Sequence, residues 1–146
     1  MYYVLDAAGF AVTLIDKDEK LIAGMEKYGV KTYFGDGSRP ELLLTAGIEK
    51  ATVLVVAIDN KAEAVQIVRF ASEANPHIKI VARAYDRTHT FELHRAGADE
   101  IIRETFDSGV RAGKRALEFL GLPRATAESA GNIFYRMDRS GMRKMA

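Results

Sequence analysis

Hydrophobic and polar positions follow two rhythms along this chain. Short runs rich in β-branched residues, 10–16 (FAVTLID), 30–34 (VKTYF), 51–59 (ATVLVVAID), 77–85 (HIKIVARAY) and 99–104 (DEIIRE), read as five strands. Between them apolar residues recur at helical spacing. Leu21, Met25 and Tyr28 share a face over 17–29, which Gly29 closes, and 39–47 carries Pro40 in its first turn. Ala64, Ile67, Val68 and Ala71 align over 60–76 before Pro76; 86–97 opens on an Asp86 cap, and 105–122 reads as a longer helix. The 51–59 run is the most apolar of all, as a strand covered on both faces of a parallel sheet requires. Residues 123–146 keep neither rhythm and read as irregular or weakly helical. Their basic end, Arg136, Arg139, Arg143 and Lys144, is read as a solvated tail, with a membrane surface or a partner as the alternative.

Strands alternating with crossover helices imply an α/β fold, a Rossmann-like doubly wound, mostly parallel sheet with right-handed connections. Such a fold opens with a strand and a glycine-rich turn that leads into the first helix. Here residues 1–9 read as the tail of that helix, with Val4, Leu5 and Ala8 on one face before Gly9. The expected architecture is therefore N-terminally truncated, its first strand and Gly-rich turn absent. Residues 1–122 form the domain and 123–146 an extension, and the absent strand belongs between the 10–16 and 51–59 strands.

Composition narrows the function. The 146 residues suit one domain, and an apolar share of 48% supports a packed core. A net charge of +1 offers no basic stripe, so nucleic acid is not an expected partner. No apolar run approaches the roughly 20 residues of a membrane span and no signal peptide appears, so the chain itself is expected to be soluble. Zero cysteines exclude disulfides, thiolate catalysis and cysteine–zinc sites, and fit a reducing cytoplasm.

Ligands of doubly wound sheets bind outside the carboxyl ends of the strands, so the candidate chemistry is collected there. The first strand ends in Asp16-Lys17-Asp18. A carboxylate there takes the ribose hydroxyls of an adenine nucleotide; for Asp18 a helix cap is the simpler role, and for Asp16 both stay open. The second ends in Gly35-Asp36-Gly37-Ser38. Glycines let backbone approach a flat ring while Asp36 and Ser38 offer hydrogen bonds; a turn with Ser38 as helix cap explains the same residues. Ala57, Ile58, Asp59 and Asn60 end the third strand, with Asp59 or Asn60 as cap or ligand contact. Arg83 ends the fourth, as a fixed cation facing the crevice or as half of an ion pair. His77, His89 and His94 lack the partners of a metal site and read as surface residues; no metal and no catalytic constellation are expected.

The segments VTLIDKD, YGVKTYFGDGSRPELLLTAGI, TVLVVAIDN, IVARAYD and IIRETFDSG, in this order, resemble the KTN/RCK N-terminal nucleotide-binding domain of bacterial potassium channels and transporters. RETFDSGVRAGKRALEFLGL and FYRMD are similar to one subgroup, the C-terminal domain of Kef-type glutathione-gated potassium efflux systems. The resemblance implies AMP or NAD(H) as ligand, with Asp16, Lys17, Asp36, Gly37 and Ser38 at the ribose and adenine. Ala57 to Asn60 and Arg83 would line the crevice. It further implies a homodimer acting on a membrane potassium transporter domain, on the same or a separate chain, at the cytoplasmic face of the inner membrane. Glutathione or its adducts would bind between subunits. Arg103 would hold a glutathione carboxylate, Asp138 stands where the subgroup has an asparagine, and Tyr28 stands where it has a phenylalanine. Tyr3 falls near the place of a subgroup arginine. The domain is then a regulator and not an enzyme; the alternatives are a Trk-type potassium uptake subunit and a fragment of an NAD(P)-dependent oxidoreductase.

Overall fold

The computed structural model describes residues 13–27, 29 and 31–145, with side-chain surroundings as far as residue 141. The expected helix tail at 1–9, Tyr3 and Tyr28 lie outside the described residues.

Among the described residues five strands alternate with helices, and two helices in succession follow the last strand: β1 (Thr13–Asp16), α1 (Glu19–Glu26), β2 (Lys31–Phe34), α2 (Pro40–Ala46), β3 (Val53–Val56), α3 (Lys61–Ala74), β4 (Lys79–Ala84), α4 (Arg87–Ala96), β5 (Glu100–Arg103), α5 (Glu104–Phe119) and α6 (Arg124–Met145). A single 3-10 turn, Ile48–Lys50, links α2 to β3. All ladders are parallel: β1 with β2 from Thr13↔Lys31 to Asp16↔Phe34, β3 with β4 from Val53↔Lys79, and β4 with β5 from Val81↔Glu100. Among the described residues the sheet comes in two parts, β1-β2 and β3-β4-β5, and no ladder joins β1 to β3. Direct pairing of those two strands is thus not the arrangement adopted.

One helix ties the two parts together. The face of α3 made by Ala64, Val65, Ile67, Val68 and Ala71 is buried against Val56, Ile80, Ala82 and Ala84 of the larger part and Leu93 of α4. Ile15 of β1 packs against the same cluster, and Lys17 beyond β1 reaches Glu63 in the first turn of α3. The alanines let α3 lie close to the sheet, where dense packing maximises dispersion contacts. Asn75 ends α3 as a buried polar knot, donating from Nδ2 to the carbonyls of Ile48 (3.1 Å) and Ala51 (2.9 Å). Every strand therefore points its carboxyl end to the same side of the molecule.

Two expectations are corrected. Of the two readings for 123–146, irregular or weakly helical, the irregular one is set aside: residues 124–145 form a continuous 22-residue helix, stronger than expected. Its inward face carries the buried Ala127, Gly131 and Asp138 and the half-buried Tyr135, which packs on Phe106, so the usual stripe of large aliphatic residues is missing from it. Gly131 allows a close approach, since a Cβ there would stand 2.7 Å from Cδ of Lys114 on α5. His89 is buried, not a surface residue: its Nδ1 accepts from the Tyr85 N–H (3.0 Å), leaving Nε2 protonated toward the Lys61 carbonyl at 3.1 Å.

Candidate functional site

At the end of β1 the Asp16 side chain accepts from the Asp18 N–H at 2.7 Å, and the Asp16 carbonyl accepts from the Gly35 N–H at 2.9 Å. The second bond locks the end of β2 to that of β1. Gly35 has φ +149, a backbone region that disfavours side chains, and a Cβ there would stand 3.1 Å from Leu42. Asp36 then folds back on its own turn, its Oδ1 accepting from the Ser38 N–H (2.9 Å) and hydroxyl (2.6 Å). Those bonds, with Lys17 and Arg39 nearby, hold the Asp36 carboxyl below its ordinary range. Lys17 lies between acids, 3.0 Å from Glu63 and 3.8 Å from Asp36, and its ammonium is pushed up by the Glu63 hydrogen bond. Asn60 caps α3 by accepting from the Glu63 N–H at 3.0 Å. One small polar cluster thus joins the ends of β1, β2 and β3.

A second group sits at the ends of β3, β4 and β5. Ile58, Asp59, Arg83, Tyr85, Glu104 and Thr105 are among the residues lining a cavity of about 350 Å³. Arg83 is an ion-pair partner here, 2.7 Å from Asp59 and 3.8 Å from Glu104. Asp59 is otherwise wholly in solvent, so its bond to Arg83 is easily exchanged for one to a ligand. Lys61 is bonded to Asp86 at 2.8 Å and stands over the ring of the lining Tyr85 at 4.3 Å.

The third group is built around one buried carboxylate, Asp138. Arg103 ends β5 with its guanidinium 4.2 Å from the centre of the Phe106 ring, and it donates to Asp138 of α6. Arg87, which opens α4, donates to the other oxygen of Asp138 at 2.8 Å. Asp138 is 7% exposed. Burial pushes its carboxyl up, but hydrogen bonds from Arg103 and Arg87 outweigh it and hold the group below the usual carboxylate range. Asp107 braces the cluster, accepting from the Arg103 N–H (2.9 Å) and the Tyr135 hydroxyl (2.8 Å). Burial and the bond to Asp107 push the Tyr135 hydroxyl up, so it stays a neutral donor.

The structure thus brings Asp16, Lys17, Asp36 and Ser38 together, with Gly37 packed beside Ile15 and Ile67. Ile58, Asp59 and Arg83 fall in the neighbouring cavity, Ala57 is exposed at the end of β3, and Asn60 and Asp18 are helix caps. Ser38 is bonded to Asp36, while α2 starts from Arg39 without a side-chain cap. Arg103 and Asp138 meet each other directly. Glu63, Glu104 and Arg87 were not expected. Glu63, three residues after the Asn60 cap, carries a capping-box signal, whereas nothing local marks Arg87, whose partner lies 51 residues away. Among the described residues no group of acids or histidines is arranged to hold a metal, and no helix is long and apolar enough to cross a membrane.

Residues 2–104 match the TrkA-N domain family. The chain is 36% identical over 143 residues to the glutathione-regulated potassium-efflux system protein KefC of Escherichia coli O139:H28, covering 98% of this chain and 23% of KefC. It therefore spans about a quarter of the length of that relative. Among solved structures it is similar to the Kef C-terminal domain of Shewanella denitrificans in its AMP-bound form, at 36% identity and TM-score 0.83, over 99% of this chain and 87% of that one. The TrkA-N domain of the inner membrane protein ybaL from Escherichia coli shares the fold at 24% identity and TM-score 0.73, over 83% and 86% of the two chains. The expected family and the Rossmann-like α/β fold both stand.

Proposed function

The chain belongs to the TrkA-N domain family, and on that premise we propose that it is a ligand-sensing regulatory domain of a potassium efflux (K+/H+ antiport) system. It binds an adenine nucleotide at the strand-end crevice. The observation that carries this reading is the polar cluster of Asp16, Lys17, Asp36 and Ser38 at the ends of β1 and β2. Its chemistry fits the adenosine part of a nucleotide: carboxylates suit ribose hydroxyls, and the glycines of the 35–38 turn leave room for a flat base. Asp59 and Arg83 lie next to it, beside the cavity, where the rest of a larger nucleotide such as NAD(H) extends. A relative of 36% identity was solved with AMP, which supports AMP as the first ligand to test.

Glutathione or its adducts are the second ligand, with Arg103 as carboxylate partner, in a homodimer at the cytoplasmic face of the inner membrane. Support for a second copy comes from α6, which leaves Phe134 and Met137 61% and 66% exposed. The role is regulatory and not catalytic: ligand that fits one arrangement better shifts the population toward it and acts on the attached or associated transporter domain. Residues 1–122 serve as the nucleotide domain and 123–146 as its extension. Calorimetry with AMP, NADH and a glutathione adduct tests this. Saturable binding of AMP or NADH is expected, and heats no larger than dilution for all three ligands contradict it.

A further inference from the structure

A carboxylate buried between two guanidinium groups is an arrangement that proteins usually make with a ligand. Here the protein supplies the carboxylate. The two arginines come from positions set by the sheet: Arg87 opens α4 just after β4, and Arg103 closes β5. Asp138 is brought to them by α6, which follows the turn after α5. Two details mark this contact as more than packing. The Nε of Arg103 is buried without a hydrogen-bond partner among the described residues, so Asp138 meets the fork through Nη1 and leaves a donor unmet. A carboxylate lying side-on to the guanidinium satisfies both donors at once, which is its preferred geometry. The inward face of α6 is also poor in aliphatic bulk. It presents Ala127, Gly131 and Gly141, the last placed so that a Cβ would stand 3.2 Å from Arg87 Nη1. Tyr135 supplies a large ring on this side, edge-on to Phe106 at 5.4 Å and bonded to Asp107, and next to it α6 meets Arg87 and Arg103 through the Asp138 charge contact.

We propose that Arg87 and Arg103 form a binding site for a small carboxylate-bearing ligand and that Asp138 is its resident occupant, so that ligand and α6 compete for one site. The inference rests on the reading of the chain as a ligand sensor and adds how binding moves an element: a ligand that takes the arginines lifts Asp138 and undocks α6. The internal carboxylate competes at an effective concentration on the order of millimolar. A simple carboxylate is therefore largely kept out, and a ligand with further contacts enters.

Calorimetric titration of succinate, at ionic strength held constant with chloride, into the unsubstituted chain and Asp138→Asn tests the competition. The substitution removes the charge and keeps an acceptor oxygen and the side-chain shape. Affinity for succinate is expected to rise at least tenfold, and the gain to disappear when Arg103→Leu is added. A folded Asp138→Asn protein with unchanged succinate affinity overturns the proposal and leaves the cluster a structural clamp. If that variant does not fold, hydrogen exchange of the unsubstituted chain decides. Succinate in large excess over that millimolar effective concentration should speed exchange over residues 131–141 relative to chloride, and equal or slower exchange overturns the competition. AMP binding measured on the same samples separates the two ideas. Failure with AMP binding retained rejects only the competition, whereas no AMP binding anywhere rejects the sensor reading beneath it.

Discussion

Asp16 and Asp36 stand partly exposed at open strand ends, bonded within their own turns. Asp138 is buried and gripped by two arginines from distant elements. The first pair spends little of its hydrogen-bonding capacity on the protein and keeps the rest for solvent or ligand. The second has its capacity filled from within. An open carboxylate is a binding group with a small structural role, and a buried paired one keeps its partners, Arg103 at 16% and Arg87 at 44% side-chain exposure, engaged within the protein. The same residue type thus takes opposite functions according to how far away its partners are in sequence and how much water remains.

Substitutions separate the two regions most clearly. Asp138→Ala leaves Arg103, 16% exposed, without its counter-ion, and should cost about 3 kcal/mol, the lower end for a broken buried pair because Arg87 can rehydrate. In thermal unfolding by circular dichroism that is a fall in Tm of roughly 10 °C. A fall no larger than that of Asp59→Ala, whose side chain is already in solvent, would erase the contrast.

Acid should act on the same region. The Asp138 carboxyl lies below its unfolded value in the fold, so its stabilisation is complete above the ordinary aspartate range near pH ~4 and is lost as pH falls through the lower folded value. Tm of the unsubstituted chain should fall more steeply below pH ~4 than that of Asp138→Asn. Parallel curves would assign the acid sensitivity elsewhere.

The open region should behave in the opposite sense. Asp16→Asn keeps the acceptor for the Asp18 N–H and should leave Tm unchanged, while weakening AMP about tenfold through loss of charged bonds to ribose. Calorimetry and melting curves on one preparation check both halves. The smallest effect belongs to Lys17→Met. Its exposed pairs with Glu63 and Asp36 should contribute nothing resolvable to Tm, and any change in AMP affinity should shrink as salt is added.

The regular elements were legible because their signals are local. The β-branched runs, the Asp18, Asn60 and Asp86 caps and Pro40 in the first turn of α2 each act within a few residues, and each is found in place. The strand-end candidates followed from those elements, since a parallel sheet gathers the residues after its strands. Helix α6 was not legible, because periodicity looks for a large apolar stripe. Here the inward face is Ala127, Gly131, Tyr135 and Asp138, and Ile133, Phe134 and Met137 lie outward. His89 was misplaced for a related reason, as its partners are backbone groups of Tyr85 and Lys61 that only tertiary structure supplies. Likewise Arg103 and Asp138 were each singled out, but their union, across 35 residues, pairs Arg103 with a carboxylate of the chain itself, which no local signal marks.

The contrast between an open crevice and a self-filled arginine pair is tested most directly by titrating AMP into isotopically labelled protein and following backbone amide resonances. Saturable shifts are predicted at Asp16–Asp18, Gly35–Ser38 and Asp59–Asn60, with Arg87, Arg103 and Asp138 unmoved. Shifts centred on Arg103 and Asp138 with the 35–38 turn silent would contradict the account.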